Sequence, residues 1–91
     1  MPSRKPADFL DLRVAIAARR VIRFWWSGEE IEVEPHILLQ APRTEAFVLA
    51  AWRGGWEFYR FAEMKDLTLT DAFFAHRDDV PSRVPRGQKK G

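Results

Sequence analysis

The hydrophobic pattern of this chain changes its period once, close to residue 20, and that change sets the order of its secondary structure. Before it, Phe9, Leu12 and Ile16 recur three and four positions apart, which is the spacing of one helix face. After it, β-branched and aromatic residues fall in short runs bounded by Gly, Pro and Ser, which is typical of strands. The sequence therefore predicts one helix followed by several short strands.

The helix is predicted over residues 8–20. Asp8 suits the N-cap position, and Arg19 and Arg20 suit the negative end of the helix dipole. We expect the apolar face of this helix to pack on the core, and a helix that binds a partner chain is the alternative.

The first hairpin is predicted between residues 21–27 and 31–33, with Ser27 and Gly28 as a two-residue turn. This register pairs apolar residues on one face and opposite charges on the other: Phe24 with Ile31, Ile22 with Val33, and Arg23 with Glu32. Pro35 is expected to interrupt the second strand or to lie at its edge, with residues 36–40 as a further extended piece.

A second hairpin is predicted between residues 47–53 and 56–61, with Gly54 and Gly55 as its turn. A two-residue turn there places Ala50 opposite Tyr59 and leaves both faces largely apolar. Residues 67–70 alternate again and form a short last strand. Because both faces need cover, we predict closure of the sheet against the helix.

The predicted fold is therefore α+β and mainly β: an N-terminal helix followed by a small five-stranded antiparallel barrel, Sm-like or SH3-like. Its boundaries are a flexible N-terminus at residues 1–7, one domain at 8–74 and a disordered basic tail at 75–91. The tail holds five of the 15 basic residues and two of the 13 acidic ones, so the net charge of +2 comes from the tail. This distribution weakens the case for a broad phosphate-binding surface on the folded body.

Composition excludes several classes of site. The chain has no cysteine, which rules out disulfides, thiolate zinc sites and cysteine nucleophiles. Its N-terminus leads into no long apolar run, and no stretch approaches the roughly 18 apolar residues of a membrane span. We predict a cytoplasmic protein that does not enter a membrane and holds no cofactor.

Several short motifs occur in an order and at a spacing that match one known family. They are Ala15-Ile16, Arg19-Arg20-Val21, Phe24, Val33-Glu34-Pro35-His36, Leu38, residues 47–52, Tyr59-Arg60-Phe61 and Phe74. Together they resemble the WYL domain, a bacterial family usually attached to a helix-turn-helix in transcription regulators. At the tripeptide that names the family this chain reads Phe47-Val48-Leu49, and Glu32 and Glu63 stand where the family commonly carries Arg. The resemblance implies a ligand-sensing Sm-like barrel that binds nucleic acid or nucleotide-like anions.

Arg60 is the leading candidate for a ligand-binding residue, because it matches a basic position of the family and a guanidinium binds anions bidentately. The alternative is an ordinary strand arginine paired with a glutamate. Phe47, Trp52 and Trp25 are the other candidates. Trp25, Trp52 and Trp56 are the right residue type to stack on bases, and packing against the helix or a second subunit is the alternative.

Metal and catalytic sites are not predicted. Glu30, Glu32, Glu34 and His36 share one side of a strand, but no second His is close in sequence, so a solvated charged face explains them better than metal ligation does. The chain has two histidines and shows no nucleophile elbow, phosphate-binding glycine loop or metal-binding His pair. We therefore do not expect an enzyme.

The predicted function is a ligand-sensing, regulatory binding module that takes a nucleotide, single-stranded nucleic acid or another anion in connection with transcription regulation. No helix-turn-helix fits before the first strand, so such a protein must act through a partner regulator chain. The alternative is a protein–protein interaction or homo-oligomerisation module without a small ligand.

Overall fold

The structure, a computed structural model, describes residues 4–85. Residues 1–3 of the predicted flexible N-terminus and residues 86–91 of the predicted tail lie outside the described part. The elements in chain order are α1 (Phe9–Ala18), β1 (Arg20–Trp26), β2 (Glu29–Gln40), β3 (Phe47–Trp52), β4 (Trp56–Arg60), a 3₁₀ turn (Phe61–Glu63) and β5 (Lys65–Phe73). The predicted class, α+β and mainly β with one helix and five antiparallel strands, is confirmed.

Helix α1 begins at the predicted cap. The Asp8 carboxylate accepts a hydrogen bond from the Asp11 backbone N–H at 3.0 Å. The helix ends at Ala18, two residues before the predicted end, and Arg19 caps it in a left-handed conformation (φ 58°). Leu12 and Ala15 are fully buried, so the predicted inward face does pack on the core.

Removing this cap tests how much α1 depends on it. Asp8→Ala is expected to lower the free energy of unfolding by about 1 kcal/mol, because one N–H of the first turn loses its acceptor. Asp11→Asn is the matched control, since it removes the same charge and leaves the cap bond intact. Urea unfolding of both variants measures the difference. Equal losses would mean that charge, and not capping, is what Asp8 contributes.

The hairpin of β1 and β2 has the predicted register, with Phe24 opposite Ile31 and Arg23 opposite Glu32. The Arg23 guanidinium donates from Nε and Nη2 to one Glu32 oxygen at 3.0 and 2.8 Å. Ser27 and Gly28 both have positive φ, as a type I′ turn requires.

Strand β2 is long and joins the two halves of the sheet. Its first part pairs with β1, and its second part pairs with β3. Pro35 was predicted to interrupt the second strand or to lie at its edge, and β2 instead continues through it. It lies beside a register shift between Pro35 and Ile37, and such an irregularity tolerates a residue that lacks an N–H. Strand β5 pairs with β1 and is longer than the predicted residues 67–70.

The sheet has the strand order β4-β3-β2-β1-β5 and is open. Strands β4 and β5 are its two edges and do not pair with each other in the described part of the chain, so the closed barrel is not shown. The core lies between the two halves of the sheet and α1. Its buried residues are Leu12, Ala15, Ile22, Phe24, Ile31, Val33, Leu49, Ala51, Tyr59 and Met64.

The hairpin of β3 and β4 differs from the prediction by one residue. Leu49, and not Ala50, lies opposite Tyr59. The loop has three residues, because the Arg53 N–H donates to the Gly55 carbonyl at 2.9 Å across Gly54. Tyr59 thereby shares the inner face with Leu49 and is only 3% exposed.

Candidate ligand-binding surface

The surface that carries Arg60 is the side of strands β2, β3 and β4 facing away from the core. Leu49, Ala51 and Tyr59 belong to the core, and neighbouring residues of a strand point to opposite faces. We call the opposite side the outer face. It consists of Ile37, Leu39, Val48, Ala50, Trp52, Trp56, Phe58 and Arg60. Apart from Arg60, the residues of this face are apolar.

Arg60 lies exposed at one end of the outer face, opposite Val48. The other two strand arginines each hold a carboxylate: Arg20 that of Asp71 at 3.6 Å and Arg23 that of Glu32 at 2.8 Å. Within residues 4–85, Arg60 forms no such salt bridge. Among the described residues, Arg60 is therefore not paired with a glutamate, which was the alternative to a ligand-binding role.

Trp52, at the other end of the outer face, is covered by an arginine of the chain itself. The Arg77 guanidinium lies 4.0 Å from the centre of the Trp52 ring. Its Nε also contacts Glu34 Oε1 at 3.3 Å. Trp56 packs edge-on against Trp52 at 5.4 Å. The Arg77 guanidinium thus occupies one face of the Trp52 ring.

Trp25 is covered in the same way on the other half of the sheet. The Arg4 guanidinium lies 3.5 Å from the Trp25 ring centre and 2.8 Å from Asp66 Oδ2. The hydrogen bond from Arg4, and then that from the Lys5 backbone N–H, hold the pKa of the Asp66 carboxyl below its usual range. A base that stacks on Trp25 must first displace Arg4.

Phe47 does not share a surface with Arg60. It begins β3 on the inner side and packs against Phe9, with ring centres 5.1 Å apart. It lies five positions from Trp52 on an extended strand, a separation of about 16 Å. The structure therefore brings Arg60 and Trp52 onto one face and leaves Phe47 and Trp25 outside it.

Sequence reasoning missed the role of His36 in holding residue 77. The His36 ring is 5% exposed. Its Nδ1–H donates to the Glu34 carbonyl at 2.9 Å, and its Nε2 accepts from the Arg77 backbone N–H at 3.3 Å. Burial lowers the pKa of His36, so the ring is neutral near physiological pH. No group of three or more candidate metal ligands occurs among residues 4–85.

Comparisons of this chain with protein-family models, with curated proteins and with solved structures find no match. The resemblance to the WYL domain stays a prediction based on sequence motifs. Within the described residues, no helix is long and apolar enough to cross a membrane.

Proposed function

We propose that this chain is a WYL-like regulatory binding module that takes an anionic ligand at the Arg60 end of the outer face. The observation that carries the proposal is an exposed strand arginine without a carboxylate partner among the described residues. An exposed guanidinium without a carboxylate partner can donate two parallel hydrogen bonds to the oxygens of a phosphate or carboxylate group.

The neighbours of Arg60 favour an anion that also has an apolar part. Val48 lies opposite Arg60, and Phe58 lies on the same face two positions earlier. An aromatic ring beside a guanidinium suits a base joined to a phosphate, as in a nucleotide or a short single strand of nucleic acid. In this proposal Trp52 contributes only after Arg77 has moved away from its ring.

The same proposal includes the wider setting that the WYL resemblance implies. The module binds its ligand without chemical conversion, works in the cytoplasm and transmits the signal to a partner regulator chain.

We also propose the finer fold assignment, an Sm-like or SH3-like barrel. It is supported by the pairing of the first and last strands and by the passage of β2 from one half of the sheet to the other.

Binding of a fluorescent single-stranded oligonucleotide at low salt tests this site. Arg60→Glu is expected to weaken binding at least about tenfold, because hydrogen bonds to charged groups contribute roughly 1.5–3 kcal/mol. Arg13→Glu, an exposed helix position with the same charge change, is the control and is expected to retain most of the affinity. Equal losses in both variants would show that net charge alone drives binding and would overturn the site.

A second candidate function is a homo-oligomer formed through α1. Leu10 and Val14 are 67% and 48% exposed and lie four positions apart on one helix face. Light scattering at micromolar concentration is expected to give more than the 10.6 kDa of one chain, and Leu10→Asp is expected to restore the monomer. A monomeric wild type would exclude this candidate.

A further inference from the structure

A cleft on the free edge of β4 has a chemistry unlike that of the Arg60 surface. It has a volume of about 340 Å³ and is lined by Trp26, Trp56, Glu57, Phe58 and Tyr59. Consecutive residues of β4 line it because an edge strand exposes residues of both faces along its unpaired side. Its size falls within the range of small-ligand sites, about 300–1,000 Å³.

The aromatic rings of this cleft are held in a fixed arrangement. Trp26 and Tyr59 meet edge to face, with ring centres 4.9 Å apart and planes at 84°. Phe24 packs against Tyr59 from the core side at 5.3 Å. The faces of aromatic rings carry partial negative charge and attract cations, most strongly those of tryptophan. The lining therefore favours a positively charged ligand.

The one ionisable carboxylate of the lining strengthens this preference. The Tyr59 hydroxyl donates a hydrogen bond to Glu57 Oε1. Burial, and then this hydrogen bond, raise the pKa of Tyr59 far above its usual range, so the phenol stays a neutral donor. Among residues 4–85 the other carboxylate oxygen of Glu57 holds no hydrogen bond. Glu57 is thus oriented by Tyr59 and has one oxygen left for a cation.

We propose that this cleft binds a small organic cation of the quaternary-ammonium class, with the charge over Trp26 and beside Glu57. Such a cation is weakly hydrated, so it loses little when aromatic rings replace water. The cleft adjoins the proposed anion site, because Phe58 lines the cleft and also lies beside Arg60, but it selects the opposite charge.

Titration with choline, followed by the indole N–H signals of Trp26 and Trp56 in NMR spectra, tests the proposal. A saturable shift in the millimolar range is expected. The neutral tert-butyl isostere of choline has the same shape and is expected to give no saturable shift. No shift with choline, or an equal response to the isostere, would overturn the cation site.

Two variants separate the charge from the shape of the cleft. Glu57→Gln keeps an acceptor for Tyr59 and is expected to weaken choline binding about threefold or more. Glu63→Gln, exposed in the 3₁₀ turn, is the control and is expected to bind like the wild type. Unchanged binding in Glu57→Gln with a native spectrum would refute the role of the carboxylate.

Discussion

Phe24→Ala is expected to remove most of the free energy of unfolding of this domain. The Phe24 side chain is fully buried and packs edge-on against Tyr59 and Trp26, with ring centres 5.3 and 6.3 Å away. Truncating a buried phenylalanine costs about 3–5 kcal/mol, since the cavity only partly collapses. Domains are stable by only about 5–15 kcal/mol, and a small one lies at the low end.

Phe73→Ala is the matched control, because Phe73 is 67% exposed. Its effect is expected to stay within about 0.5 kcal/mol, as for surface positions in general. Urea unfolding followed by tryptophan fluorescence measures both variants. Similar losses of stability at the two positions would contradict the placement of the core between the halves of the sheet.

Acidification is expected to destabilise the fold and to release residue 77 from the outer face. Burial lowers the pKa of His36 in the folded state, so the unfolded chain takes up the proton first, near a pH of about 6.5. His36 therefore stabilises the fold above that pH, and this contribution is lost as the pH falls through the unfolded and then the folded pKa. A protonated Nε2 cannot accept the Arg77 N–H. The charged or titratable groups that act on the ring are Glu34, His76 and Arg77.

His36→Phe isolates this effect, because the ring keeps its aromatic neighbours and cannot be protonated. The free energy of unfolding is expected to vary less with pH between about 7.5 and 5 in this variant than in the wild type. Hydrogen exchange of the Arg77 amide, which His36 Nε2 protects, reports the release directly. His76→Phe is the control for the second histidine. If the free energy of unfolding changes with pH to the same extent in wild type and in His36→Phe, groups other than His36 cause the acid sensitivity.

The β1–β2 hairpin was predictable because two independent patterns agree on one register. Apolar residues pair on the inner side, as in Phe24 with Ile31, and opposite charges pair on the outer side, as in Arg23 with Glu32. A shift by one residue would expose the apolar set and separate the charges. The sequence therefore contains enough information to fix this pairing.

The β3–β4 hairpin was not predictable in the same way, because both of its faces are apolar. A shift by one residue exchanges Leu49 for Ala50 opposite Tyr59 and leaves a similar pattern. The turn decides the register instead. Gly54 and Gly55 suggest a two-residue turn, whereas the hydrogen bond from Arg53 to Gly55 closes a three-residue loop.

The candidate site was only partly predictable, since its electrostatics depend on contacts between distant parts of the chain. The position of Arg60 on a strand follows from local alternation. The covering of Trp25 by Arg4 and of Trp52 by Arg77 comes from segments that lie before and after the predicted domain. No local pattern in the sequence indicates which tryptophan such a segment reaches.

A thermal-melt screen at low salt is the most direct test of the anion site at Arg60. The ligands are nucleotides, cyclic dinucleotides, short single-stranded oligonucleotides and simple anions, each with wild type and Arg60→Glu. A ligand at 100 times its dissociation constant adds about 2.7 kcal/mol, and each kcal/mol moves the melt of a small domain by roughly 4–8 °C. An upward shift of roughly 10 °C or more in the wild type, lost in Arg60→Glu, is the predicted result. A flat screen across all four classes, or a shift that Arg60→Glu retains, would contradict a binding module centred on Arg60.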